Sequence, residues 1–189
     1  MKATATLLAA AALLAGCSAE PEPVATAPAG GGDPLPSIQN TPGVPPPDFK
    51  LPSITAPGEI SLVDSLRAAS GKPLVIVLGS ASCSFSTQEV NELAASKPGY
   101  AIVCVVQGQE AEVRKSLPKF VPFPVLLDLD GATLQAYGVK STPSVVVLDD
   151  RGHIAYKGDG GYIPPKTVAE MAAKVARGEP VGVVQTEGG

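Results

Sequence analysis

Residues 75–86 read VIVLGSASCSFS, an apolar and mostly β-branched run that leads into a segment with a single cysteine. The continuous apolar segment Leu74–Leu78 predicts a strand buried on both faces, and a helix-like pattern begins at Ser84. Backbone N–H groups at a helix start carry partial positive charge, which favours a thiolate. Cys83 is therefore a candidate nucleophile with a lowered pKa. A dithiol that makes and breaks its own disulfide would need a cysteine at position 86, where this chain has Ser86.

The length and composition of the chain suit one folded domain. The 189 residues are 44% hydrophobic, enough for one ordinary core and some disordered length besides. Aromatic residues make up only 4% and tryptophan is absent, so the core must rest on Val, Leu, Ile and Ala. The formal net charge of −4 argues against nucleic acid as a partner, because sequence-independent binding needs clustered Lys and Arg.

The N-terminus has the features of an export signal. Residues 1–16 combine a lysine, an apolar segment too short to span a bilayer, and small residues at the end. The ending Leu14-Ala15-Gly16-Cys17 resembles a bacterial lipobox; the alternative is an ordinary signal peptide that happens to end in cysteine. The resemblance implies that Cys17 becomes a lipid-bearing N-terminus, with enough acyl chains for stable anchoring. Ser18, in place of an aspartate, implies the outer membrane if the cell is Gram-negative.

Residues 17–46 form a predicted tether between this anchor and the folded domain. The segment is rich in Pro, Gly, Ala and Glu and has hardly any periodic apolar signal, which is typical of disordered chain. Proline favours extended backbone, so the tether would hold the domain away from the membrane surface. The expected location is the bacterial cell envelope, with the domain in the periplasm and membrane contact through the lipid anchor only.

A single domain is predicted over residues 47–177, followed by a flexible, Gly-rich tail over 178–189. Apolar runs and turn residues alternate along the domain, which predicts alternating strands and helices, then a hairpin and a closing helix. Strands are predicted at Ile60–Leu62, Leu74–Leu78, Tyr100–Val106, Pro124–Leu127, Ser144–Leu148 and His153–Lys157. Helices are predicted at Val63–Leu66, Ser84–Ala95, Gln109–Leu117, Gly131–Tyr137 and Pro165–Ala176. This α/β order predicts a thioredoxin-like fold, a mixed central sheet with helices on both faces.

Several segments, in this order and spacing, resemble the TlpA-like (redoxin) branch of the thioredoxin superfamily. These segments are Pro47–Pro52, Gly71–Ile76, Cys83–Ser86 with Glu89 beyond it, Tyr137–Pro143 and Leu148–Ile154. Together they cover nearly the entire predicted domain.

The resemblance implies a membrane-anchored, extracytoplasmic thiol:disulfide oxidoreductase. Cys83 would attack a disulfide of a protein or a small molecule. Pro143, preceded by Thr142, matches the cis-proline of the family. Such a proline lies beside the nucleophile and lets the backbone of the preceding residue pair with an incoming peptide. No cofactor and no metal are expected.

Two departures from the family pattern bear on the chemistry. The family usually has Trp-Cys-x-x-Cys, whereas this chain has Ser82 before Cys83 and Ser86 as the last residue of the motif. Loss of the tryptophan opens the site, and loss of the second thiol removes the step that expels a bound partner. Cys83 could still form a mixed disulfide, but release would need an external thiol donor. The alternative function is a redox-inactive, thioredoxin-fold binding module for envelope proteins.

Two other families share part of the motif. Cys-Ser-Phe-Ser is similar to the Cys-Gly-Phe-Ser of monothiol glutaredoxins, but the flanking residues follow the TlpA pattern. Ser80 resembles the Thr or Ser that precedes the peroxiredoxin cysteine. However, Ile76 replaces the proline of that motif, and Pro143 lies near where the second-site arginine would be expected.

Cys104 lies within the predicted strand Tyr100–Val106 and is interpreted as a small buried apolar residue. Its depth in the strand should place it too far from Cys83 for a disulfide. That disulfide stays a rival to test, because two exported cysteines remain after Cys17 is lipidated.

The helix at Ser84–Ala95 is predicted to turn Phe85, Val90, Leu93 and Ala94 inward. Glu89 would assist proton transfer if half-buried, but a solvated carboxylate on the helix surface is the expected arrangement.

The remaining candidate ligands do not form a metal-binding pattern. His153 is the sole histidine and is interpreted as a surface strand residue, so no Cys-His pair is evident. Asp128 and Asp130 beside Gly131 are interpreted as a turn signal rather than a calcium site.

Overall fold

The computed structural model describes residues 43–158, 160–182, 184 and 186. The predicted signal peptide, Cys17 and most of the predicted tether lie outside these residues. The described part contains seven strands: β1 Lys50–Pro52, β2 Glu59–Ser61, β3 Leu74–Ser80, β4 Ala101–Gln107, β5 Val125–Asp128, β6 Ser144–Leu148 and β7 Ile154–Lys157. The same part contains five helices: α1 Leu62–Ala69, α2 Ser84–Ser96, α3 Glu110–Ser116, α4 Ala132–Ala136 and α5 Pro165–Ala176. None of them is both long and apolar enough to cross a membrane.

Five strands form the central sheet in the order β5-β4-β3-β6-β7. The strands β3, β4 and β5 run parallel to one another, whereas β6 pairs antiparallel with β3 and with β7. The short strands β1 and β2 pair with each other in a separate antiparallel sheet. The predicted mixed sheet and thioredoxin-like fold are therefore confirmed.

The core lies on both faces of β3, as its continuous apolar run predicts. Val75 and Val77 belong to one buried cluster, which also contains side chains of α2, α3 and α5. Leu74, Ile76 and Leu78 belong to the cluster on the opposite face, with side chains of α1 and α4. Because successive residues of a strand point to opposite faces, one strand supports both halves of the core.

The C-terminal segment contributes to the core beyond α5. Val181 and Val184, within the segment expected to be a flexible tail, are half-buried against the cluster that contains Val75.

A side-chain cap defines the beginning of α1. Ser61 caps α1, and its hydroxyl and backbone N–H pair with the Asp64 backbone N–H and carboxylate. Such a capping box stabilises a helix start, and α1 extends to Ala69, beyond the single turn predicted at Val63–Leu66.

The helix α4 is held by the carboxylate of Asp128, at the end of β5. The Asp128 oxygens accept hydrogen bonds from the backbone N–H groups of Thr133 at 3.3 Å and Leu134 at 3.0 Å. Asp130 accepts one from Ala132 at 3.1 Å, and Gly131 between them has a φ of +77°, which favours glycine. The two aspartates thus shape a turn, as the sequence predicts, and they also hold the start of a helix.

We expect Asp128→Ala to lower the free energy of unfolding by about 1–3 kcal/mol, because it leaves two buried N–H groups without an acceptor. Asp130→Ala is the matched control. Its carboxylate is exposed and accepts one bond, so a loss below about 1 kcal/mol is expected. Chemical denaturation of both variants would measure the difference, and equal losses would contradict the capping role of Asp128.

Candidate active site

Cys83 lies directly before α2, beyond the end of β3. It is the N-cap residue of α2, with φ −97° and ψ 117°, and its side chain makes no capping bond to the helix. The backbone N–H of Cys83 donates to the carbonyl of Ser80 at 3.1 Å. This short turn places the sulfur at the positive end of the helix, half-buried and therefore partly open to solvent.

Thr142 and Pro143 lie beside this sulfur. The Cys83 Sγ–H donates to the backbone carbonyl of Thr142 at 3.1 Å. The peptide bond between Thr142 and Pro143 is cis, and β6 begins at the next residue. Because β6 pairs with β3, the sheet brings together residues 59 positions apart in sequence.

Ser86 lies beneath the cysteine in the first turn of α2. Only 2% of its surface is exposed, and its hydroxyl accepts a hydrogen bond from the backbone N–H of Ser80 at 3.2 Å. Gly79 leaves room for it, because a Cβ at position 79 would lie 3.1 Å from the Ser86 Cβ. The same hydroxyl donates to the sulfur of Cys83. Ser86 therefore links the end of β3 to the nucleophile.

The pKa of Cys83 lies below the ordinary value of a thiol. Partial burial is the largest single influence and would raise this pKa. Hydrogen bonds from the hydroxyl and N–H of Ser86, from the side chain of Thr142 and from the N–H of Phe85 act in the opposite direction and together outweigh it. A thiolate, the nucleophilic form, is thereby favoured.

The inner face of α2 differs from the prediction. Val90 and Leu93 are buried and Ala94 is half-buried, but 36% of the Phe85 surface is exposed, so the expectation for Phe85 was wrong. The buried face follows positions 86, 89, 90 and 93, the i, i+3, i+4, i+7 pattern of one helix side. Phe85 lies off that side, next to Cys83.

Glu89 is also not where it was expected. It is completely buried, and neither carboxylate oxygen has a hydrogen-bond partner within the described part of the chain. Burial raises its pKa to about 8. The backbone of Ile163 comes near and lowers the pKa somewhat, without forming a hydrogen bond of normal geometry, whereas the charge of Glu92 raises it.

The carboxylate of Glu89 acts on two other buried groups. Burial raises the pKa of Tyr100 to about 12, and the charge of Glu89 adds to this. The pKa of Cys104 is raised for the same two reasons. The groups that set the pKa of Cys83 are Ser86, Thr142 and Phe85, and Glu89 is not one of them.

Cys104 is fully buried in β4, opposite Val77 of β3. Both Cys83 and Cys104 are free thiols. The interpretation of Cys104 as a small core residue is confirmed, and the rival disulfide does not form in this structure.

The other candidate ligands are dispersed. His153 is half-buried just before β7, and its backbone N–H donates to Asp149. Within the described ranges, no three His, Cys, Asp or Glu side chains lie close enough to hold a metal ion.

A polar depression adjoins the site and was not expected from the sequence. It begins at Thr142, extends to α4, and has a volume of about 540 Å³. Its polar side chains come from Gln107, Gln135, Lys140, Ser141 and Thr142. Lys140 and Ser141 precede the Thr-Pro pair, which is the one signal that could have pointed to them. Gln107 is placed there by the pairing of β4 with β3.

The sheet topology and the cysteine at the β3–α2 junction define a thioredoxin-like protein. The sequence model of the Redoxin family matches residues 32–175, and the chain belongs to that family. A search of curated proteins gave no match.

Solved structures of the same fold come from several bacteria. A protein assigned as thiol:disulfide interchange protein DsbE from Chlorobium tepidum is 23% identical, with a TM-score of 0.60 over 72% of this chain and 99% of that chain. The exposed lipoprotein thioredoxin Etrx1 from Streptococcus pneumoniae is 24% identical, with a TM-score of 0.55 over 68% and 99%. The thioredoxin domain of a thiol-disulfide oxidoreductase from Bacteroides vulgatus is 18% identical, with a TM-score of 0.57 over 72% and 98%. At these identities the likeness establishes the fold.

We expect Ser86→Ala to raise the pKa of Cys83, because it removes the hydroxyl that donates to the thiolate. Alkylation of Cys83 near pH 7 should slow by about threefold to tenfold, the value of one hydrogen bond. The rate of reaction with iodoacetamide as a function of pH measures this. Ser84→Ala is the control, since Ser84 is exposed and does not influence the pKa of Cys83. Identical pH profiles for wild type and Ser86→Ala would contradict the assigned role.

We expect Glu89 to make the domain less stable as the pH rises. Its pKa is about 8 in the folded protein and 4.5 as the ordinary value. Between these values the unfolded chain ionises and the folded chain does not, so stability is complete below the lower value and falls toward the upper one. The loss is on the order of 4 kcal/mol.

Denaturation of wild type and Glu89→Gln at about pH 5 and about pH 8.5 tests this linkage. The stability of the variant relative to wild type should increase at the higher pH. Glu170→Gln, at an exposed position of α5, should have the same stability as wild type at both pH values. A parallel pH dependence of Glu89→Gln and wild type would show that the buried carboxyl is not the group responsible.

Proposed function

We propose that this protein is an exported, lipid-anchored member of its family that carries out thiol–disulfide exchange with a single cysteine, Cys83. The observation that carries the proposal is the position of its sulfur. The sulfur is partly exposed at a helix N-terminus, has a lowered pKa, and lies 3.1 Å from the Thr142 carbonyl. Its substrates are disulfides of proteins or small molecules.

The reaction follows from the chemistry of one thiolate. Cys83 attacks one sulfur of a disulfide, a new S–S bond forms between them, and the other substrate sulfur leaves as a thiolate. Ser86 stabilises the attacking thiolate through its hydroxyl and N–H. Because Ser86 has no thiol, the mixed disulfide persists until an external thiol attacks it.

Thr142 and Pro143 are proposed to dock the substrate. The Thr142 carbonyl accepts the thiol proton of Cys83 in the resting protein, and ionisation of Cys83 removes that bond. The backbone at Thr142 is then available to pair with an extended peptide beside the sulfur. Phe85, whose backbone N–H donates to the same sulfur, is exposed and offers an apolar surface two residues after Cys83.

The export and anchoring steps are supported by the sequence of the first 46 residues. Residues 1–16 are the proposed signal peptide, Cys17 the lipidated N-terminus, and residues 17–46 the tether. The fold shared with an exposed lipoprotein thioredoxin from Streptococcus pneumoniae suits this arrangement. The proposed location is the cell envelope with the domain in the periplasm, at the outer membrane if the cell is Gram-negative.

A redox-inactive binding module is the second candidate. The observation that favours it is the burial of Ser86, whose hydroxyl is tied to the backbone of Ser80 at the place where the family has its second thiol. In that case the backbone at Thr142 would pair with peptides without any disulfide exchange at Cys83.

Reaction with labelled glutathione disulfide separates the two functions. We expect wild type to form one mixed disulfide per chain, at Cys83, and to release it only when a thiol is added. Cys83→Ser should not react. Cys104→Ala is the matched control and should react like wild type, because Cys104 is fully buried. Equal labelling of wild type and Cys83→Ser would end the exchange proposal.

Two further measurements complete this test. Ser86→Cys should release the bound glutathione without added thiol, since position 86 lies within hydrogen-bond reach of the Cys83 sulfur. Mass spectrometry of cell-derived protein under non-reducing conditions should find acyl chains on Cys17. An unmodified N-terminal cysteine, or an intact signal peptide, would contradict the lipid anchor.

A further inference from the structure

We infer that the polar depression beside Cys83 binds a small thiol that carries a carboxylate, or the disulfide of such a thiol. This inference rests on the proposed single-cysteine exchange. It assigns the external thiol, which the chemistry requires, to a class of molecule and to a place.

The depression is continuous with the reacting sulfur. Thr142 is part of its wall, and the carbonyl of the same residue lies 3.1 Å from Cys83 Sγ. A molecule seated against Thr142 can therefore bring its own sulfur to Cys83, or to the partner sulfur of a Cys83 mixed disulfide, while the rest of it lies in the depression. The volume of about 540 Å³ is in the range of small-molecule sites, about 300–1,000 Å³.

The charge in the depression favours an anion. Lys140 is exposed on its wall and forms no ion pair with any carboxylate of the described residues. Asp128 and Asp130, on the β5–α4 turn, accept hydrogen bonds from backbone N–H groups of α4, and neither side chain lines the depression. Lys140 is the one charged side chain among the described residues that line the depression, and its ammonium group attracts a carboxylate from solution.

Two side-chain amides suit the peptide-like part of such a ligand. Gln107 and Gln135 reach the depression from β4 and α4, and each amide can both donate and accept hydrogen bonds. Gln107 lies directly over Gly131, where a Cβ would be 2.4 Å from Nε2. The absence of a side chain at position 131 is what lets the amide lie against that residue in the lining of the depression.

The step at this site balances as a thiol–disulfide exchange. The thiolate of the small molecule attacks the partner sulfur of the Cys83 mixed disulfide, and a new S–S bond forms between them. The bond to Cys83 breaks, and Cys83 leaves as a thiolate. The small thiol is oxidised, the mixed disulfide at Cys83 is reduced, and no other reductant is needed. Attack by Cys83 on the disulfide of the small thiol is the same step in reverse.

The test compares two small disulfides of opposite charge on the full-length protein. Glutathione disulfide carries carboxylates, and cystamine carries only ammonium groups. The second-order rate of Cys83 modification by each is followed by intact mass. Lys140→Gln should lower the ratio of the glutathione rate to the cystamine rate by about threefold to tenfold, because it removes the positive charge. Gln107→Ala should lower the same ratio, by about threefold.

The matched control is Lys119→Gln. Lys119 is an exposed lysine that precedes β5, whereas the depression is lined mostly by residues that follow β5, such as Gly131. Its ratio should equal that of wild type. If Cys83 reacts with both disulfides but Lys140→Gln leaves the ratio unchanged, the inference is wrong and the proposed function stands. If Cys83 reacts with neither disulfide, both the inference and the proposed function are wrong.

Discussion

The hydrogen bond from the Ser80 N–H to the Ser86 hydroxyl holds the end of β3 against the first turn of α2. It depends on Gly79, where a Cβ would press on the Ser86 side chain. This junction places Cys83 at the helix N-terminus, facing Thr142. The sulfur, its stabilising donors and the docking backbone are thus parts of a single local arrangement. That arrangement stands on β3, which is buried on both faces and therefore has little freedom to shift.

The polar groups on the buried side of α2 have opposite consequences. The Ser86 hydroxyl accepts a hydrogen bond from the Ser80 N–H and donates one to the Cys83 sulfur, so its burial stabilises the nucleophile. Glu89, one turn further on, has no hydrogen-bond partner within the described chain, and its burial costs stability once the pH passes the ordinary carboxyl range. The charge of Glu89 acts on Tyr100 and Cys104 and not on Cys83.

The sequence predicts most of the fold because its apolar runs end at clear breaks. The bounds of β6 and α5 match the prediction, and β3 extends only two residues past it. The buried face of α2 was predicted less well, since two of its four buried positions are the polar residues Ser86 and Glu89. An amphipathic pattern assigns such polar residues to solvent, and the sequence therefore predicts Phe85 on the buried face instead. Within the site, Cys83 is predicted from its place directly before a helix. Gln107 reaches the depression beside the site through the pairing of β4 with β3, and the periodicity of a sequence does not report which strands pair.

The lowered pKa of Cys83 affects both directions of the proposed exchange. A thiol of lower pKa supplies more thiolate for attack, and it is also the better leaving group when its mixed disulfide is attacked in turn. A site with two cysteines uses the second thiol to discharge the first. With Ser86 in that position, the same hydrogen bonds that activate Cys83 also ease its release by a thiol from solution. A single stabilised sulfur is therefore suited to repeated, reversible exchange, provided that the second thiol can reach the partner sulfur. In the proposed exchange, a small thiol gains that access from the depression next to Thr142.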